Sequence, residues 1–444
     1  MRIVQTIKNI FKIEDLRQRI IYTLGIILLY RLGKYVTLPG IDPAQLGALK
    51  AQTSQGIMGL LDMFSGGAFS QASIFALGIM PYISASIVIQ LLGIVFPYFQ
   101  KLQREGESGR RKMNQFTRYL TVAILLLQAP TYLANLDAQL PESAFILKGS
   151  FFIVSSVIIL TAGTIFVMWL GEKITDKGIG NGISLIIMIG IIARLPQSFI
   201  FELGTRLEGS GGLVALLVEI VFFFLVILGS ILLVQGTRRI PVQYARRIIG
   251  NKQYGGVRQY IPLKVNAAGV MPIIFAQAIM MLPIIFAGYA SADGMSGFVS
   301  AFSNMYGFWY NLVTAILIIA FTYFYTAITI NPVQMAEDMK KNGGFIPGVK
   351  PGRKTVEFLD NIMSRITLPG SIFLAFIAIL PSFAVNFGVS GPFAQFYGGT
   401  SLLILVGVVL DTLQQIESHL LMRHYDGLMK SGRIKGRTGS VRAI

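Results

Sequence analysis

Ten apolar stretches, each close to the length a helix needs to cross a bilayer, constrain this 444-residue chain more than any other feature. They fall at about 20–38, 73–96, 119–136, 149–170, 183–201, 213–235, 266–290, 310–330, 367–387 and 400–417. Hydrophobic residues make up 53% of the chain and charged residues 13%, the latter about half the share of an ordinary soluble domain. A water-soluble globule is excluded. Hydrocarbon offers no partners to backbone N–H and C=O groups, so each stretch is predicted to cross as a helix, giving an all-α polytopic membrane protein with ten transmembrane helices.

Breaks in these stretches point to a cavity. Gly66-Gly67 precedes the second stretch and Gly78-Ile79-Met80-Pro81 lies inside it. Backbone freed by Gly and Pro is tolerated at membrane depth only where it faces protein or water. The second break is echoed later: Gly269-Val270-Met271-Pro272-Ile273-Ile274-Phe275-Ala276 follows the pattern of Gly78 to Ala85 and aligns Ile274 with Ile83. Likewise Gly399-Thr400-Ser401-Leu402-Leu403-Ile404 resembles Gly182-Ile183-Ser184-Leu185-Ile186-Ile187 and aligns Ile404 with Ile187. The echoes pair the second stretch with the seventh and the fifth with the tenth, which divides the chain into five and five. An odd number per half inverts the second half, and inverted repeats place the functional site near mid-membrane where the halves meet.

The basic residues fix the orientation. With both termini cytoplasmic, 32 of the 38 Lys and Arg fall on the cytoplasmic side, and the six others are Arg31, Lys34, Lys50, Lys148, Arg194 and Arg206. That bias is the positive-inside signature. It absorbs the net charge of +17 without requiring nucleic acid as a partner.

Little in the chain supports catalysis. There is no Cys, and the two His, His419 and His424, lie near the C-terminal end. No nucleotide loop or nucleophile constellation is present, so the chain reads as a non-enzyme with no cofactor. Glu219 and Asp411 are the acids well inside the stretches, while Arg31, Lys34 and Arg194 sit near ends where long stems snorkel to the interface. Ile79 and Ile83, like Ile183 and Ile187, are four apart and share a helix face. With Ile274 and Ile404 they either form an apolar collar that closes a pore by dewetting or are ordinary packing residues. Two loops, 236–265 and 331–366, are long, basic and turn-rich. Each is either a lipid-headgroup anchor or a docking platform for an acidic or RNA-bearing partner.

Several motifs make the chain resemble the SecY family, the channel subunits of the bacterial Sec translocase related to the eukaryotic translocon alpha-subunit. They are Met63-Phe64-Ser65-Gly66-Gly67-Ala68, the run from Ala72 to Ser86, Glu105-Gly106-Glu107-Ser108-Gly109-Arg110-Arg111-Lys112, Trp169-Leu170-Gly171-Glu172, Gly178 to Ser184, Pro262-Leu263-Lys264-Val265-Asn266, Asn331-Pro332 and Tyr397-Gly398-Gly399-Thr400-Ser401. The resemblance implies a clamshell: an N-terminal half at 1–201, a hinge loop at 202–212, a C-terminal half at 213–417 and a cytoplasmic tail at 418–444. It implies a pore ring of Ile79, Ile83, Ile183, Ile187, Ile274 and Ile404. It also implies a re-entrant plug helix at about 57–72 carrying Phe64, Ser65, Gly66, Gly67, Ala68 and Phe69, and a polar lateral gate of Ser84, Gln128 and Asn266.

The docking residues it implies are Arg238, Arg239, Arg246, Arg247, Lys252, Arg258, Lys340, Lys341, Lys350 and Arg353. Expected partners are the SecE and SecG subunits, the SecA motor ATPase, the ribosome, unfolded secretory and membrane-protein substrates, and membrane lipids. The expected location is the bacterial cytoplasmic (inner) membrane, and the expected function a protein-conducting channel. A secondary transporter of a small solute is the alternative that also uses an inverted repeat. Two departures from the family pattern stand out. Lys350 occupies a turn position where Arg is common, and Gln71 follows Phe69-Ser70 where Arg is common, which puts ion pairs holding the plug in doubt.

Overall fold

The computed structural model describes residues 13–430 except 48, 50–58, 60–61, 148, 209–211, 245–246, 250–251, 255–257, 278 and 281–303. Among the described residues, seven helices are long and apolar enough to cross a membrane: Glu107–Gln139, Ser150–Lys177, Gly182–Glu208, Gly212–Gln235, Phe308–Lys341, Arg353–Asn386 and Gly399–Leu420. They correspond to the third to sixth and eighth to tenth stretches. The first stretch, expected at about 20–38, is helical only to Gly33, in α1, Glu14–Gly33. The seventh is helical at 271–277 and runs into residues outside those described.

The second stretch differs from its expected bounds. Ser73 forms an isolated antiparallel bridge with Thr37, residues 74–79 are turns, and helix α2 starts only at Met80 and ends at Val95. Pro81 explains the start, since its missing N–H is harmless only in a first turn. Gly78 reverses the chain just before it with φ +54°, a left-handed value that glycine adopts without strain. Pro97 then opens α3, Pro97–Arg104, which leaves α2 at 102°.

Two helices meet where a hinge loop was expected. The fifth stretch comprises α4, Gly182–Ile192, and α5, Leu195–Glu208, with Ala193 and Arg194 at the break. Helix α6, Gly212–Gln235, follows. The expected loop at 202–212 is therefore helical through Glu208.

Outside the spans the chain adds strands to the all-helical plan. Strand β1, Thr237–Tyr244, pairs antiparallel with β4, Arg258–Lys264, in the register Ile240↔Ile261. Short strands β2, Arg247–Ile249, and β3, Lys252–Tyr254, pair antiparallel with each other in a separate two-stranded sheet. Strand β5, Gly344–Phe345, from the second long loop, pairs with β1 through Gln243↔Phe345. The two basic loops thus share one sheet. Along β1 the burial alternates, with Ile240 and Val242 inside and Arg239 and Pro241 outside, as expected for a sheet with one dry face. That face packs on Leu263, Met339, Ile346, Leu359 and Met363.

Candidate functional site

At the centre of the molecule the two halves share one apolar cluster. It includes Ile79 and Ile83 from the start of α2, Ile183 and Ile187 from α4, and Ile404 and Val408 from the last helix. Met63, Phe64 and Ala68 from the segment before α2 belong to the same cluster. Ile274, on helical residues 271–277, lines a cavity of about 540 Å³ together with Ile83, Ile183, Ile187 and Ile404. Gln90, Arg110, Asn181 and Asp411 add polar groups to this lining, as does Lys264 at the end of β4. A second cavity of about 560 Å³ is lined by Lys34, Met63, Gly67, Ser70, Arg194 and Gln395 among others, and lies at the other end of α4, since Ala193 and Arg194 follow the helix whose first turns line the first cavity. Met63 belongs both to this lining and to the cluster, so apolar side chains separate two polar-rimmed vestibules.

In its described part the segment lining the second cavity is helical at residues 59 and 62–64 and consists of turns and a bend from 65 to 72, so the helix expected at about 57–72 does not continue past Phe64; residues 57, 58, 60 and 61 lie outside the described residues. Gly66 and Gly67 have φ of +68° and +87°. At Gly66 a Cβ would stand 2.9 Å from the Cα of Gly190 on α4, so the close approach of two backbones fixes glycine there. The segment is tied to its surroundings by side chains from distant helices. Tyr30 donates its hydroxyl to the Ser65 carbonyl at 3.2 Å and Tyr132 to the Phe69 carbonyl at 2.9 Å. Arg31 reaches the Gly66 carbonyl at 3.5 Å, and Arg194 pairs with Asp62 at 2.5 Å. Arg31 and Arg194 were read from the sequence as snorkelling side chains; they point instead at this segment. An ion pair therefore holds the segment although Gln71 has replaced the usual Arg. The available signal was that both cations lie off the basic side.

The three residues expected at a lateral gate are not joined by hydrogen bonds. Ser84 is half-buried on α2, and Asn266 lines the first vestibule with its Oδ1 unpartnered. Gln128 is exposed on the third span, next in sequence to the exposed Leu126 and Leu127. A polar bond between the halves forms six residues further along α2 than Ser84, where the Tyr325 hydroxyl lies 3.4 Å from Gln90 Oε1. The ring of Phe275 stacks on Phe321 nearby, with centroids 5.6 Å apart.

The basic residues outside the spans sit as follows. Arg238 and Arg239 are exposed on β1, Lys340 and Lys341 at the end of the helix Pro332–Lys341, and Lys350 in the turn before Arg353. Arg353 opens the ninth span and lies 3.5 Å from Glu357. Arg247, Lys252 and Arg258 belong to β2, β3 and β4. Arg246 lies outside the described residues.

Glu219, solitary in the sequence, is part of a buried ionic knot. Arg206 donates to Glu202 Oε1 at 3.0 Å, to Glu219 and to the Gly388 carbonyl at 2.6 Å. Glu202 in turn accepts from the Ser390 N–H at 2.9 Å, and the Tyr397 hydroxyl caps the Glu219 carbonyl at 2.9 Å. The knot ties the junction of α5 and α6 to the end of the ninth span.

The SecY family model matches residues 73–413. The protein translocase subunit SecY of Corynebacterium glutamicum is 43% identical over 438 residues, covering 95% of this chain and 98% of that protein. The solved structure of a protein conducting channel aligns with a TM-score of 0.63 at 19% identity, covering 90% of this chain and 92% of that one. Sec61 in the canine ribosome-channel complex from the endoplasmic reticulum aligns with a TM-score of 0.59 at 18% identity, again over 90% of this chain and 92% of that one.

Proposed function

The chain belongs to the SecY family, and from that premise we propose that it passes unfolded polypeptides across the membrane and releases apolar segments sideways into lipid. It is a channel subunit and not an enzyme. The observation that carries the mechanism is the pair of polar-rimmed vestibules facing each other across the isoleucine cluster. An apolar constriction disfavours a continuous water column, so ions are held back while the channel rests. Branched side chains touching only by dispersion yield to an extended polypeptide without any hydrogen bond having to break. The segment Phe64 to Phe69 acts as the plug beneath that ring. Lateral release follows separation of α2 from the eighth span at the contact of Gln90 with Tyr325.

The sheet face is cytoplasmic in this reading, as are both termini, and the membrane is the bacterial inner membrane. The ribosome, or the SecA motor, docks on the shared sheet, and SecE and SecG flank the helices. A small-solute carrier is not favoured, since Glu219 is locked against Arg206 and the constriction is apolar. Reconstitution with SecE, SecG, SecA and ATP in vesicles tests the reading. Protease-protected accumulation of an unfolded secretory substrate is expected; ATP-dependent uptake of small solutes with no protected polypeptide would overturn it.

A further inference from the structure

Asp62 is tied into the plug through both its carbonyl and its carboxylate. Its backbone carbonyl accepts from the Gly67 N–H at 2.7 Å and from the Ser65 hydroxyl at 3.0 Å. Its Oδ1 accepts from the Ser70 N–H at 2.8 Å, closing the turn that shapes the plug. Its Oδ2 stands 2.5 Å from Arg194 Nη2, as an ion pair and not as a well-aligned hydrogen bond. The Asp62 side chain is fully buried, whereas Arg194 is 25% exposed and lines the plug-side vestibule. One carboxylate therefore both folds the plug and fastens it. Arg194 occupies the break between α4 and α5, directly after the helix that carries Ile183 and Ile187.

We propose that the Asp62–Arg194 pair sets how apolar a substrate segment must be before the channel opens, which makes both residues specificity-determining. The inference rests on the channel reading above. A buried carboxylate is tolerated only while it is paired. Seated, Asp62 requires Arg194; unseated, it is hydrated in the vestibule. Leaving the seat means parting the pair, and that free energy has to come from the substrate's contacts with the opened halves. The other ties, from Tyr30 and Tyr132, are hydrogen bonds between neutral groups, roughly half as strong as charge-assisted ones, and the Arg31 contact is long at 3.5 Å. A substrate with a shortened apolar segment supplies less and is refused.

The test uses the reconstituted complex and two substrates, one with its full apolar leading segment and one with that segment weakened by Leu→Ala changes. Arg194→Gln removes the fastening while leaving the Asp62–Ser70 turn intact. It should admit the weakened substrate and raise resting ion conductance about tenfold, since losing one partner of a buried pair shifts an equilibrium by at least that factor. Arg194→Lys keeps the charge and should refuse the weakened substrate as the unmodified channel does. Unchanged discrimination and conductance in Arg194→Gln would overturn the proposal, as would Arg194→Lys behaving like Arg194→Gln. If the unmodified channel carries neither substrate, the channel reading itself falls and takes the latch with it.

Discussion

Ile83 and Ile274 face the same vestibule from opposite halves of the chain, so their joint replacement addresses the seal directly. Changing both to Asn puts amides where dewetting depends on apolar surface, and resting ion conductance in planar bilayers should rise severalfold. Changing both to Leu keeps volume and polarity, and conductance should stay near the native level. Gly163 tests packing. A Cβ there would lie 2.1 Å from the carbonyl oxygen of Ile74, in the turns leading to α2. Ala in a helix gains about 1 kcal/mol over Gly from propensity, but overpacking against backbone costs about 1–3 kcal/mol. Gly163→Ala should therefore lower the thermal midpoint in detergent; a raised midpoint would show that the turn at Ile74 gives way. At this scale the isoleucines were legible because repeats and i, i+4 spacing survive in a single sequence. Arg194 was not, because its partner Asp62 is remote along the chain and only the fold brings the two together.

The spans could be read from runs of apolar residues, whereas their ends could not. The start of α2 depends on how Pro81 and Gly78 divide one apolar run, and the run itself carries no mark of the division. The sheet was hidden for another reason: its strands are basic and turn-rich, and β5 is two residues long, so its existence depends on pairing with β1 from another loop. That pairing frames a prediction. Arg238 and Arg239 are exposed on β1 while Ile240 and Val242 pack inward, so Arg238→Glu with Arg239→Glu should leave the sheet folded and weaken docking of the ribosome or motor. Binding by the unmodified protein should fall steeply with salt. Cosedimentation at low and high salt checks this, and unaltered affinity of the variant at low salt would remove β1 from the docking surface.

Across the whole molecule, the Glu202–Arg206–Glu219 knot joins segments that the sequence separates widely. Removing only the cation leaves two buried carboxylates unpaired, so Arg206→Met should destabilise the protein by about 3–5 kcal/mol. Replacing all three members with apolar residues of similar size should restore much of the loss, because desolvation of the charges disappears with them. Thermal unfolding of the single and triple variants decides, and equal midpoints for both would mean that the charges are not what holds the junction.

The paired vestibules have an electrical consequence. In the proposed channel the two cavities enter from opposite faces with the isoleucine cluster and the plug between them, so the insulating layer would be far thinner there than in the surrounding bilayer. The transmembrane voltage, about 2.3 kcal/mol per elementary charge per 100 mV, is then dropped over a few residues of a passing extended chain instead of over about nine. Each charged side chain in transit meets nearly the full voltage in a single short step, and the direction of that step depends on its sign.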